Sequence, residues 1–184
     1  TNLSGTTPVD SGSNFKADTY ALAESDGPSG YTASAWSCDG GTMGDATHVT
    51  VSLGQSATCT INNDDIAPTL KLVKDVTNDN GGTKTSADWT LTASGDSGFS
   101  DIGNSTTFHT VKAGVNYALS ESTVSGYEAG SWSCDGGSLS GSSITLSLSQ
   151  NVTCTITNND QAAHLIIIKQ VINLEKHFVS YEGY

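Results

Sequence analysis

The four cysteines are the residues whose types and spacing point most directly to covalent chemistry. Cys38 and Cys59 are separated by about 20 residues, as are Cys134 and Cys154. No CxxC pair of a zinc knuckle is present, and a thiol-dependent enzyme would not need the same pair twice. We therefore predict one disulfide in each half of the chain and an oxidising compartment, with free thiol pairs in a reducing cytosol as the alternative.

Other reactive groups are sparse. The four histidines are scattered without a repeated Ser and Asp, so no hydrolase triad, cofactor or metal site is indicated, and we do not expect an enzyme that acts on an external substrate. A net charge of -12 argues against nucleic acid as a partner, because phosphate binding needs clustered cations. The chain also lacks an apolar run of ~18 residues that would indicate a transmembrane segment.

The sequence consists largely of one repeat. Tyr20–Gly41 recurs as Tyr117–Gly137, and Ala57–Asp65 recurs as Val152–Asp160, with a period of about 95 residues. Each repeat is large enough to bury a core of its own. The period therefore predicts two tandem domains.

The composition predicts an all-β protein. Short runs of Val, Ile, Leu, Thr and Tyr alternate with segments rich in Gly, Ser, Thr, Asn and Asp, and no stretch has helical spacing. Seven strands in about 90 residues are typical of an Ig-like Greek-key β-sandwich. In the complete repeat we predict these strands at Leu70–Val76, Trp89–Ala93, Thr106–Val111, Asn116–Ser120, Ser131–Cys134, Ser143–Leu148 and Val152–Thr157.

The first repeat contains only the later strands. It lacks counterparts of Leu70–Ala93, whereas Leu165–Val171 (LIIIKQV) repeats the pattern of Leu70–Val76 (LKLVKDV), and His177–Tyr181 is also strand-like. We predict an incomplete acceptor domain (1–65), a complete domain (66–160) and donor strands (161–184). The strands expected in the first repeat are Tyr20–Glu24, Ala33–Cys38, His48–Leu53 and Ala57–Asn62.

A sandwich without its opening strands exposes unpaired backbone groups at its sheet edges. The linker Gln161–His164 spans at most ~14 Å, which is shorter than a sandwich of ~20 to 30 Å, so the tail should reach a neighbouring subunit. We therefore predict a head-to-tail homopolymer in which residues 165–184 are added to the neighbour's first domain. The alternative is a stalk or adhesin segment from a longer repeat protein that binds a ligand.

One motif resembles a known family. The pattern YxLxExxxPxGY is similar to that of the CnaB or SpaA-like (prealbumin-like) domains of bacterial surface proteins and pilins, and it falls at Tyr20, Leu22, Glu24, Pro28, Gly30 and Tyr31. The second repeat is one residue shorter and lacks the proline, with matches at Tyr117, Leu119, Glu121, Gly126 and Tyr127. The resemblance implies prealbumin-like sandwiches and a structural role at the cell surface or in an extracellular pilus.

The resemblance also implies an isopeptide bond between a lysine on the first strand and an asparagine on the last, assisted by the motif glutamate. Carried over by position, the set in the second domain is Lys74, Glu121 and Asn158. In the first domain the set is Glu24 and Asn63, which a neighbour's Lys169 would complete. Burial favours this reaction because it lowers the pKa of a lysine and raises that of a glutamate. Ordinary hydrogen bonds or a buried ion pair are the alternative.

Lys71 is a competing nucleophile on the first strand. In the repeat alignment, however, Lys74 corresponds to Lys169, whereas Lys71 corresponds to Ile166. Lys74 is therefore the preferred candidate.

Overall fold

The computed structural model describes residues 3–171 and is all-β, with seventeen strands and two short 3-10 helices in this part of the chain. The helices are Gly12–Asn14 and Ser86–Asp88. The strands of the first repeat are β1 (Asp18–Ala21), β2 (Tyr31–Ala33), β3 (Ser37–Asp39), β4 (Thr42–Asp45), β5 (His48–Val51), β6 (Thr58–Thr60) and β7 (Asn63–Asp65). Those of the second repeat are β8 (Thr69–Thr77), β9 (Thr90–Ser94), β10 (Phe99–Ile102), β11 (His109–Thr110), β12 (Asn116–Glu121), β13 (Tyr127–Ala129), β14 (Ser133–Cys134), β15 (Ser138–Ser140), β16 (Ser143–Thr145) and β17 (Asn151–Asp160).

The second repeat forms two sheets. One is fully antiparallel in the order β10-β9-β12-β16-β15, and the other has the order β11-β8-β17-β13, with β14 also paired to β17. Side chains from both sheets make up a single buried cluster, which includes Trp89, Leu91, Tyr117 and Ile144. The phenol of Tyr117 donates to the Asp96 carbonyl, so its hydroxyl is satisfied within the core. This part of the chain is therefore the predicted β-sandwich.

The first and last strands of the sandwich lie side by side in parallel. In the β8–β17 register, Leu72 faces Cys154 and Lys74 faces Ile156. Since side chains alternate between the faces of a strand, this register buries Leu70, Leu72 and Lys74 together. A lysine thus lies in the core as a direct result of strand alternation.

Both disulfides occupy the same place in their repeats. Cys38 on β3 is bonded to Cys59 on β6, and Cys134 on β14 is bonded to Cys154 on β17. These are the pairings expected from the sequence. In the chain-entropy model a closed loop of this length stabilises a domain by ~3 kcal/mol.

The first repeat reproduces the later part of this arrangement. The sheet β1-β5-β4 corresponds to β12-β16-β15, and the pairs β2–β7 and β3–β6 correspond to the pairing of β13 and β14 with β17. Within residues 3–65, however, no strand takes the places that β8 and β9 hold in the second repeat. Val49 is the sole residue of this range that is fully buried. The core of the first repeat is therefore open at an edge of each sheet.

Several strand predictions were wrong in detail. The structure adds β10, β13 and β15 to the seven strands expected in the second repeat. In the first repeat it adds β4 and β7 and splits Ala33–Cys38 into β2 and β3. The added strands are three or four residues long, and they have too few apolar residues for an alternation to be visible.

The tail is expected to form its strands on a neighbouring subunit. Residues 161–171 are exposed and belong to no strand, since no neighbouring strand pairs with them. His177–Tyr181 lies outside the described residues.

We predict that the two repeats differ in amide hydrogen exchange in the monomeric chain. Amides of β8 and β17 should exchange only by global opening, which costs ~5 to 15 kcal/mol in ordinary domains. Amides of β6 and β7 should exchange by local opening at close to 0 kcal/mol, because little apolar surface is buried around them. Exchange measured by mass spectrometry on the monomer fraction checks this, and equal protection in both repeats would contradict it.

Candidate functional site

Three side chains predicted to act together are in contact in the second domain. The Lys74 amine donates to Glu121 Oε2 at 2.6 Å, and the Asn158 amide nitrogen donates to Glu121 Oε1 at 2.7 Å. Lys74 and Asn158 are each 3% exposed. A single carboxylate therefore joins an amine and an amide inside the core.

Strand alternation explains how the three residues meet. Lys74 lies on the inward face of β8, and Asn158 lies on the inward face of β17, two residues beyond the partner of Lys74. Glu121 is the last residue of β12 in the facing sheet and follows Tyr117 and Leu119 on the buried side of that strand. The site thus spans the gap between the two sheets.

An aromatic ring lies over the amine. The Lys74 amine lies 5.0 Å from the ring centroid of Trp89, and Tyr127 packs edge-on against the same ring. Such a cation–π contact partly replaces the lost hydration of the ammonium group.

Burial sets the electrostatics of the site. It lowers the pKa of Lys74, and the hydrogen bond and charge of Glu121 offset this only in part. The side-chain oxygen of Asn158 is buried and accepts no hydrogen bond among the described residues. The site therefore combines an amine that loses its proton more easily than usual with an amide carbonyl that is free to accept a proton.

The first domain contains two of the three groups. The Asn63 amide nitrogen donates to Glu24 Oε2 at 3.0 Å, which matches the contact between Asn158 and Glu121. Both residues line a cleft of about 320 Å³, whose wall includes Pro28 and Tyr31. Lys169 lies in the exposed segment 161–171 and, within one chain, does not meet this pair. The competing Lys71 is also outside both sites, with its amine over the Phe108 ring.

Asp160, a buried carboxylate next to the second-domain site, was not predicted from the sequence. It accepts hydrogen bonds from the backbone N–H groups of Asp79, Asn80 and Gly82. Burial acts to raise its pKa, but these hydrogen bonds outweigh burial and hold the pKa below its usual range. The one available signal was an aspartate at the same repeat position, Asp65.

Comparison with known proteins follows the repeat boundaries. A family model for the prealbumin-like fold domain designated SpaA_2 matches residues 1–61 and 65–156. The chain belongs to this family of prealbumin-like domains. The tandem prealbumin-like domains expected from the motif are therefore present.

The prealbumin-like chain is similar to the major pilin protein (T-13) of Streptococcus pyogenes serotype GAS131465, with 13% identity, a TM-score of 0.38, and coverage of 81% of this chain and 68% of that one. No curated protein matches the chain. In the described residues, none of the helices has the length and apolar character needed to cross a membrane.

The lowered pKa of Lys74 predicts a pH-dependent stability. In an Asn158→Ala variant, Lys74 has a free amine. Its pKa is lowered in the folded chain and is 10.5 in the unfolded chain. At pH values between these two pKa values, the unfolded chain therefore binds more protons than the folded one. The free energy of unfolding should therefore rise with pH in that window, by up to ~1.4 kcal/mol per pH unit.

Denaturant unfolding at a series of alkaline pH values measures this rise. The double variant Lys74→Met/Asn158→Ala should lose it, and the control Lys71→Met/Asn158→Ala should keep it. If the free energy of unfolding changes with pH in the same way in all three proteins, Lys74 is not responsible for the rise.

Proposed function

We propose that this chain is a structural subunit of an extracellular filament, such as a pilus, that polymerises head to tail. In this proposal, the tail of one subunit supplies the missing strands of the first domain of the next, and Lys-Asn isopeptide bonds lock both domains. The observation that supports it most strongly is the Glu24–Asn63 pair, a reaction site without a lysine in a chain whose exposed tail carries one.

The tail has the apolar pattern of the strand that the first domain lacks. Leu165 and Ile167 correspond to Leu70 and Leu72, which are almost fully buried in β8. In the single chain these two tail residues are 82% and 85% exposed. Burying each of them in a neighbour would contribute about 1.5 to 3 kcal/mol. Docking therefore removes the largest exposed apolar segment of the described chain.

The β8–β17 register predicts where the lysine would lie after docking. In the second domain, Lys74 faces Ile156 and lies two residues before the partner of Asn158. The same parallel register on β6 and β7 sets Lys169 opposite Ile61, with Asn63 two residues further along the strand. The amine would then enter the cleft that holds Glu24 and Asn63.

The proposed reaction is the same in both domains. The neutral lysine amine attacks the side-chain carbonyl carbon of asparagine, a new C–N bond forms, and the bond to the amide nitrogen breaks. The glutamate carboxyl group first donates a proton to the carbonyl oxygen, then moves one amine proton to the departing nitrogen, which leaves as ammonia. It takes the oxygen proton back as the carbonyl re-forms, which restores the carboxyl group. No oxidant or cofactor is needed. Lys74 would join Asn158 within a chain, and Lys169 would join Asn63 between chains.

The disulfides support an extracellular location. Both cysteine pairs are oxidised, and such bonds persist in secreted and surface proteins but are rare in a reducing cytosol. The prealbumin-like family and the net charge of -12, which favours solubility, agree with a secreted structural protein.

Intact mass tests the bond within the second domain. The monomer should weigh ~17 Da less than the disulfide-bonded chain calculated from its sequence, because one ammonia is lost per bond. Lys74→Arg and Asn158→Ala should restore the full mass, and Glu121→Gln should slow the loss. The control Lys71→Arg should behave like the parent chain. If the parent chain has the full calculated mass, no bond has formed and the three residues are an ordinary hydrogen-bonded cluster.

Denaturing gels test the bond between subunits. The assembled protein should give a ladder of multiples of 18.9 kDa that survives both denaturant and reductant. Lys169→Arg or Asn63→Ala should reduce the ladder to a single band, whereas the exposed-lysine control Lys84→Arg should preserve it. One band from the parent chain, with no assembly before denaturation, would favour the alternative of a stalk or adhesin segment.

A further inference from the structure

The second domain holds the end of its first strand by means of a buried carboxylate. Asp160 is 5% exposed and accepts backbone N–H groups from the turn that directly follows β8, at 3.0 Å from Asp79, 2.9 Å from Asn80 and 2.6 Å from Gly82. Hydrogen bonds to a charged acceptor are among the stronger ones in proteins. The end of β8 is thereby fixed to the end of β17.

A tyrosine acts beside this carboxylate. Tyr127 is the register partner of Asp160 in the β13–β17 pair, and its hydroxyl donates to Asn78 Oδ1 at 2.6 Å and accepts the Lys84 N–H at 3.0 Å. A Cβ atom added at Gly82 would lie 2.3 Å from the same hydroxyl, so the turn packs tightly against both side chains. Tyr127 and Asp160 together form a seat for the turn.

The first domain has the same pair of side chains in the same arrangement. Tyr31 and Asp65 are register partners in the β2–β7 pair. The backbone contact that follows the pair is also repeated, since Ile66 N donates to Gly30 O at 2.7 Å just as Gln161 N donates to Gly126 O at 2.8 Å.

The surroundings of the Tyr31–Asp65 pair differ from those of Tyr127 and Asp160. Tyr31 is 44% exposed and Asp65 is exposed, and within residues 3–171 no backbone N–H donates to the Asp65 carboxylate. The Tyr31–Asp65 pair thus has the geometry of the seat without a turn bound to it in the described chain.

We propose that Tyr31 and Asp65 bind the backbone N–H groups of the residues that directly follow Val171 in a second copy of the chain. This inference rests on the proposed strand donation and adds a contact beyond the strand itself. A carboxylate that accepts hydrogen bonds from backbone N–H groups makes no hydrogen bond to the side chains of the bound segment. The residues after Val171 lack a counterpart of the Gly81–Gly82 pair, so Asp65 would bind their N–H groups without the close packing that Gly82 makes against Tyr127 and Asp160.

The contact would also set the register of the incoming strand. A slip by one residue would turn Lys169 away from Asn63, because alternate side chains face opposite sides of a strand. Strand pairing alone offers little resistance to a slip here, since Ile166, Ile167 and Ile168 present similar side chains to both faces. Asp65 is therefore a positioning residue that fixes which side chain enters the cleft.

Binding of two tail peptides to the full chain tests this role. The acceptor carries Ile167→Asp and Lys169→Ala so that its own tail cannot dock. The labelled peptides span residues 161–184 and 161–171, and both carry Lys169→Met so that binding stays reversible. Asp65→Asn is compared with the matched control Asp64→Asn. The control removes the same charge from the opposite face of β7. It also introduces the residue found at the equivalent position of the second domain, Asn159.

Fluorescence polarisation should give a distinct pattern of dissociation constants. Asp65→Asn should weaken binding of the longer peptide about tenfold or more, because charge-assisted hydrogen bonds are lost, while Asp64→Asn changes it less than about twofold. Neither substitution should affect the shorter peptide. If Asp65→Asn and Asp64→Asn have equal effects on the longer peptide, the assigned role is wrong although strand donation stands. If neither peptide binds the acceptor that retains Asp64 and Asp65, the proposal of strand donation is wrong and this inference is wrong with it.

Discussion

The parallel pairing of β8 with β17 determines most of what the second domain does. The two strands stay in register from Thr69 opposite Asn151 to Thr77 opposite Asn159, and this long contact closes the sandwich by joining its first strand to its last. The same register brings the Lys74 amine to the Asn158 side chain across one strand spacing. It also delivers the turn after β8 to the Asp160 carboxylate. The same strand pairing thus closes the fold and brings together the Lys74, Glu121 and Asn158 side chains.

That pairing creates an energetic problem that the proposed chemistry resolves. Lys74 has a side chain with no exposed surface, and its partner carboxylate on Glu121 is 11% exposed. A buried ion pair costs desolvation free energy that its mutual attraction often fails to recover. Conversion of the amine and the Asn158 amide into one neutral amide would remove the buried positive charge. Burial, which penalises the charged amine, would therefore favour the reacted state.

The first domain shows what the fold is like without this closure. Its disulfide, its three-stranded sheet and its Glu24–Asn63 contact are in place, but its core has a single fully buried residue, Val49. An incoming strand with alternating apolar residues would supply the buried surface that is missing. Completion of the core and polymerisation would be the same physical process, driven mainly by apolar burial.

The contact among three side chains could be predicted from the sequence better than the strands could. Lys74, Glu121 and Asn158 were identified because the motif resembles that of CnaB or SpaA-like domains, whose lysine, glutamate and asparagine were carried over by position. The cysteine pairs were identified because they recur at the same positions of the two repeats. The short strands β10, β13 and β15 were missed because three or four mostly polar residues carry no visible alternation. The role of Asp160 was missed because its partners lie about 80 residues earlier in the chain, and an aspartate that follows two asparagines is also typical of an ordinary turn.

The most direct test of the central claim is to locate the linkage of Lys169 in filaments assembled from an equal mixture of nitrogen-14 and nitrogen-15 labelled subunits. The account predicts a branched proteolytic peptide that joins Lys169 to Asn63, with about half of the copies carrying one label on each arm, as random pairing between chains requires. A Lys169 side chain recovered free, or a linkage found only between arms with the same label, would contradict it.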